Sequence, residues 1–239
     1  MQAFLVLLRY DLGQMARSWS VRAWVMLLIL LAGFLIVVAA NNQEELASET
    51  MALYMYAIFA PLSWLAVSIF AASAVSGEAG VLTDAILSKS VNRTEYLSAK
   101  LASRIGFTVA VYFLVTLPLA ALLMRYAIPD VTVGGLVNGL LMVCAMLAFL
   151  AALGILVSTL FRNVQFAILA VMVAVLFSGA LLQFLGLPWM STTAVLNQLP
   201  QTFRGTTTVW VTLRVLIVFG ALTAASVTAA LWVFRRKDL

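Results

Sequence analysis

Six long, predominantly apolar stretches, at residues 23–40, 53–76, 105–124, 136–160, 164–186 and 209–234, leave this chain few ways to fold. A run of about 20 apolar residues is long enough to cross a hydrocarbon core of roughly 30 Å as a helix. In lipid every backbone N–H and C=O must be satisfied within the protein, so only helices and closed barrels span. Barrel strands alternate in and out over about ten residues, whereas these runs are apolar throughout. Composition agrees: 64% of residues are hydrophobic and 10% charged, with a mean hydropathy of +1.10. The expected fold is therefore an all-α integral membrane protein with six transmembrane helices.

An even number of crossings puts both ends on one side. That side then collects Arg9, Arg17, Arg22, Lys89, Arg93, Lys100, Arg104, Arg162, Arg235, Arg236 and Lys237, leaving only Arg125, Arg204 and Arg214 opposite. Basic residues near span ends stay cytoplasmic, so both termini are expected there, in a multi-pass protein of a cell membrane. The net charge of +5 is then a topology signal and an attraction to the anionic bilayer surface, and implies no nucleic acid. Asn92-Arg93-Thr94 is a glycosylation sequon on the side where it would not be used.

The first 22 residues are expected to form an interfacial element ahead of a six-helix domain at 23–239. Leu8, Leu12, Met15 and Trp19 share one helical face, with Arg9, Gln14 and Arg17 elsewhere on the circumference. Such a helix lies in the headgroup region and turns into the first span; a plain extension of that span is the alternative. A cleaved signal sequence fits poorly, because its apolar region runs to only about 7–15 residues and starts closer to the terminus.

Absences narrow the function. The chain has no histidine, which excludes Ser-His and Cys-His nucleophilic systems and His-ligated zinc. No Asp, Glu or Lys falls in the middle third of a span, where ion-coupled carriers commonly place them. No G-x-x-x-x-G-K-[ST] loop occurs, so the chain is not expected to hydrolyse nucleotide or act as an enzyme by itself. The lone Cys144 and the ten methionines read as packing.

The one long charged interruption is 77–104, with Glu78, Asp84, Lys89, Arg93, Glu95, Lys100 and Arg104. Gly77 and Glu78 open a helix whose apolar positions Val81, Leu82, Ala85 and Ile86 share a face. After a break at 88–91, Asn92 with Glu95 makes an N-cap pair for a second helix running into span three. Two helices meeting in such a turn would carry a push from a soluble partner into spans two and three. The residues alone equally allow the segment to lie on lipid headgroups.

At these residues the chain resembles a family. Glu78-Ala79-Gly80-Val81-Leu82, then Ile86-Leu87-Ser88-Lys89-Ser90-Val91-Asn92-Arg93, then Tyr96 and Lys100 are similar to the signature of ABC-2 type permeases, with Val81 where the family prefers Thr and Ser90 where it prefers Pro. The resemblance extends over the chain, from the amphipathic start to the basic end at Arg235, Arg236 and Lys237. It implies a half-transporter of the plasma membrane, of prokaryotic type. Two such subunits, identical or related, would pair, each with a separate ATP-binding subunit, so that this chain holds no cofactor itself. The polar segment would be the cytoplasmic coupling helix, with Glu78, Val81, Leu82, Ala85, Ile86, Ser88 and Arg93 as contact residues.

The resemblance also implies that spans two and five line the translocation path. Span two carries Pro61, expected to kink it, with Ser63, Ser68, Ser73 and Ser76; span five shows Ala167, Ala170, Ala174 and Ser178. Ordinary helix packing is the competing account of all of them. The resemblance further implies that the external segment 187–208 dips short helices into the outer leaflet, with Trp189, Met190 and Phe203 as interfacial anchors. Arg214, about 7 Å into span six, is expected either to snorkel outward or pair with Asp130 or an external Glu, or to contact an anionic substrate. An ATP-driven export permease is the leading expectation; a passive channel or an assembly subunit of a membrane complex is the alternative.

Overall fold

The computed structural model describes residues 2–42, 45–77, 92–161 and 163–236. Its order is α1 (Gln2–Arg17), α2 (Trp19–Asn41), α3 (Ala47–Ser76), α4 (Arg93–Tyr126), α5 (Val133–Leu160), α6 (Val164–Phe184), a 3-10 turn at Pro188–Met190, α7 (Thr192–Asn197), α8 (Leu199–Phe203) and α9 (Val209–Arg236). The helices α2, α3, α4, α5, α6 and α9 are long and apolar enough to cross a membrane. All six apolar stretches thus become crossings, and the protein is an all-α, multi-pass membrane protein.

Three local features bear on the sequence reading: the first departs from it, the second adds detail to it and the third agrees with it. The first is the end of α1: Ser18 adopts an extended conformation, so Trp19 starts α2 and is 80% exposed instead of lying on the buried face of α1. The second concerns Pro61, which does not break its span. The six residues Tyr54–Phe59 before it form a π-helical stretch, and Pro61 then sits in the first turn of the α-helical part Ala60–Ser76. The wider π turn takes up the register change that a missing proline N–H demands, so one crossing continues through it. The third is length. Asn92 Oδ1 accepts the Thr94 N–H at 3.2 Å, and α4 runs unbroken for 34 residues from Arg93, so the charged turns before Ile105 are continuous with span three. The helix expected over 78–88 lies outside the described residues.

Helix α5 is the hub, packed on α9, α3, α4, α6 and α8. Close approach to α3 needs Gly154: a Cβ there would lie 2.5 Å from Ala71 Cβ. Helix α8 reaches α5 in the same way, with the Phe203 ring 2.4 Å from where a Gly139 Cβ would stand. In lipid, where apolar surface gives helices no reason to prefer each other over acyl chains, such small-residue contacts carry much of the association. Gly154→Ala is therefore expected to destabilise the protein by about 1–3 kcal/mol. Gly220→Ala, whose Cβ would meet nothing within 4 Å, is expected to be neutral or slightly stabilising; thermal unfolding in detergent compares the two.

Candidate functional site

The ends of five helices converge on the face that carries both chain termini, around the two roots of the polar segment. The first root is the end of α3. The Val75 and Ser76 N–H groups both point to Ser158 Oγ of α5 at 3.0 Å, and the Ser76 hydroxyl donates to Ala72 O at 2.6 Å. These contacts bolt the last turn of span two to span four just before Gly77.

The second root is the head of α4, held from two sides. From α9, Phe234 is fully buried and stacks on Tyr96 with ring centroids 6.0 Å apart. From α1, Asp11 is inserted, only 2% exposed. Its Oδ1 accepts from Lys100 Nζ at 2.7 Å and from Arg104 at 3.3 Å, and its Oδ2 accepts from the Ser103 hydroxyl. Lys100 also lies over the Tyr96 ring at 5.7 Å. A carboxylate buried this deeply is tolerable only with cations and a hydroxyl around it. Gln14, Met15, Phe70, Ser73, Gly77 and Arg104 line a cavity of about 240 Å³ between α1, α3 and α4, so the N-terminal helix borders the space between the two roots.

Of the expected coupling residues, Glu78, Val81, Leu82, Ala85, Ile86 and Ser88 lie outside the described residues, and Arg93 is described only as the first helical residue of α4. Asp11, Ser103 and Ser158 were not anticipated. Asp11 had a readable signal: it sits between Leu8 and Leu12 on the apolar stripe of α1, where an unpaired acid would be costly.

The expected path residues are distributed differently from one another. Helices α3 and α6 do pack together. Ser68 is fully buried inside the protein, as is Ser63, and neither hydroxyl has a hydrogen-bond partner among the described residues. Pro61 and Ala174 are exposed, and the half-buried Ser178 returns its hydroxyl to Val175 O at 2.7 Å.

On the opposite face, the expected pairing of Arg214 with Asp130 or an external Glu is corrected. Arg204 takes Asp130 and Glu49: its Nε donates to Asp130 Oδ2 and to Ser48 Oγ, both at 2.9 Å, and its Nη2 to Glu49 Oε1 at 2.5 Å. Ser48 adds two bonds to Asp130, from its N–H at 2.8 Å and its hydroxyl at 2.5 Å. Burial alone would push the Asp130 carboxyl up, but the Ser48 and Arg204 bonds outweigh it and hold the group below its usual range. Arg214 instead lies over the Trp189 ring, 3.1 Å from its centroid, because the 3-10 turn brings the indole to the N-terminal end of α9. Phe203, expected at the lipid boundary, is buried against α5. A double-mutant cycle with Trp189→Ala and Arg214→Gln is expected to show a stability coupling of about 0.5–2 kcal/mol; strictly additive effects would mean that the stacking contributes nothing.

Among the described residues no three His, Cys, Asp or Glu side chains come together to hold a metal. Fold and site define a six-span helical membrane protein with a rigid polar junction on the terminal face and a salt-bridged clamp on the other. No family model matches the chain, and no curated protein matches it significantly.

Proposed function

We propose that this chain is the membrane-spanning permease subunit of an ATP-driven exporter of the ABC-2 type. The observation that carries the reading is the junction itself. The polar segment leaves α3 where Ser158 fixes its last turn and re-enters at a helix head held by Asp11 and Phe234. A load applied to the segment by a soluble partner passes straight into spans two and three, with little compliance to absorb it. This is what a protein needs if it has no nucleotide-hydrolysing loop of its own and must be driven through contacts that differ between two states.

In this reading both termini are cytoplasmic and a separate ATPase binds the nucleotide. A second permease subunit completes the path, and Glu78, Val81, Leu82, Ala85, Ile86, Ser88 and Arg93 meet the ATPase. Arg214 on its Trp189 platform stands near the exit, where it would meet an anionic group on the cargo. The sequon at Asn92 stays unmodified, since it faces the cytoplasm.

The test is co-purification of the full chain with a phosphate-loop ATPase encoded beside it. The wild-type chain is expected to retain the ATPase. Glu78→Arg and Ile86→Asp are each expected to lower retention at least tenfold, which corresponds to about 1.4 kcal/mol of binding, without changing the thermal stability of the permease alone. Retention unaffected by both substitutions, or transport by the chain without any ATPase, refutes the proposal. In a complex that passes this test, Arg214→Gln is expected to reduce export and Arg214→Lys to restore part of it.

A further inference from the structure

Where α1 turns into α2, an open groove of about 470 Å³ runs between α2 and α4, a volume within the range of about 300–1,000 Å³ of ligand sites. Its wall is almost wholly apolar, formed by Val25 and Met26 of α2 and by Phe107, Val111 and Leu114 of α4. The exception is Arg22 at the end nearest the elbow. Its Nε donates to Ala16 O, the carbonyl of the last turn of α1, at 3.1 Å. That bond pins the guanidinium at the mouth and leaves its two terminal amino groups without a protein partner among the described residues.

We propose that this groove binds one phospholipid with a net negative headgroup, its acyl chain along α2 and α4 and its phosphate on Arg22. The apolar wall begins where the first apolar run begins, one residue after Arg22, so the cation stands at headgroup depth and the wall extends toward the bilayer interior. This is the spatial order of a lipid's own charge and tail. The surroundings select the sign of the headgroup. Arg9 and Arg17 line another hollow along α1 together with Tyr10, Gly13 and Gln14, and the one acid of α1, Asp11, is spent in its buried pairs with Lys100 and Arg104. A lipid held here rests against α1, α2 and α4 at once and fills the angle of the elbow. An apolar helix from a second copy would instead place lipid-like surface against the free amino groups of Arg22 and leave them unsatisfied. The inference needs no ATPase and stands apart from the transport reading.

The experiment is lipid retention by the purified full chain, reconstituted in vesicles of mixed phosphatidylglycerol and phosphatidylcholine, re-extracted into mild detergent and weighed intact by native mass spectrometry. The wild-type chain is expected to keep one phosphatidylglycerol in preference to phosphatidylcholine. A basic residue at the membrane surface contributes about 1 kcal/mol toward an anionic headgroup, so Arg22→Gln is expected to lower the preference about fivefold, while Arg22→Lys keeps most of it. Ala110 lines the groove and is exposed, so Ala110→Trp fills the groove without disturbing the core and is expected to abolish retention of either lipid; unchanged thermal unfolding verifies that each variant is folded. Equal retention of the two lipids by the wild type overturns the proposal, as does a preference that survives both Arg22→Gln and Ala110→Trp. Cross-linking of Met26→Cys between two copies in the bilayer overturns it too, because a second chain would then be the occupant.

Discussion

Asp11→Ala is expected to be the most damaging single substitution on the terminal face. The side chain is almost completely buried, and its removal strips Lys100, Arg104 and Ser103 of a common acceptor while leaving cationic groups in a poorly solvated place. Breaking one side of a buried ion pair costs about 3–5 kcal/mol, and for a chain of this size that lowers Tm by roughly 6–20 °C. The loss is local as well as global. Asp11 is the polar tie between α1 and α4, so trypsin is expected to cut at Arg9 or Arg17 in Asp11→Ala under conditions where the wild type resists. Asp11→Asn keeps the shape but not the charge and is expected to fall between the two. Leu5→Ala, at an exposed position of the same helix, serves as the control and should change little. A wild-type Tm and wild-type protease resistance in Asp11→Ala would show that apolar contacts alone hold the N-terminal helix.

On the opposite face the largest effect is expected at Asp130. This carboxylate joins the loop between α4 and α5 to the start of α3 and the end of α8, accepting from Ser48 and Arg204. Asp130→Ala leaves the fully buried Ser48 with its N–H and hydroxyl deprived of their acceptor, at a cost of about 2–3 kcal/mol. The pH dependence has a definite sign. Burial opposes ionisation, but the bonds from Ser48 and Arg204 prevail and the folded-state value is depressed. A depressed acid adds stability at pH values above its unfolded value, near 3.9, and that stability is lost as pH falls through the folded value. The clamp is therefore fully present from about pH 5 upward, and it is lost only below about pH 4. Thermal unfolding followed against pH should show this acid loss in the wild type and a smaller one in Asp130→Asn; a loss of equal size in both would remove Asp130 as its cause.

Much of the architecture was legible because the bilayer is a demanding solvent. The crossings and the N-cap at Asn92 follow from run length and capping chemistry, which act within a few residues, whereas the short helices of 187–208 were expected only from the family resemblance. The π-helical stretch ahead of Pro61 was not legible, because the sequence does not show how a span will accommodate a proline. Trp19 was assigned to the wrong helix because it stands four residues after Met15, on the same face of a continuous helix, and only the extended backbone at Ser18 separates the two. The candidate site was half legible. Arg214 stood out as a charge inside an apolar run, yet Arg204 holds the acids, and no spacing rule connects residues 48, 130 and 204. Ser158 looks like any intramembrane serine until the last turn of α3 is seen against it.

By itself the sequence determined that this chain crosses a membrane six times as helices, since unpaired backbone groups in hydrocarbon exclude nearly everything else. It could not say which helix is central. Helices α2 and α5 are almost equally apolar, yet α5 is buried on most sides and α2 mostly faces outward, because a neighbouring helix and a lipid tail are equally good surroundings for leucine. That choice was made by tertiary structure, through the close approaches at Gly139 and Gly154 and the polar locks at Asp11 and Arg204, where contact geometry and charge distinguish arrangements that hydropathy leaves equivalent.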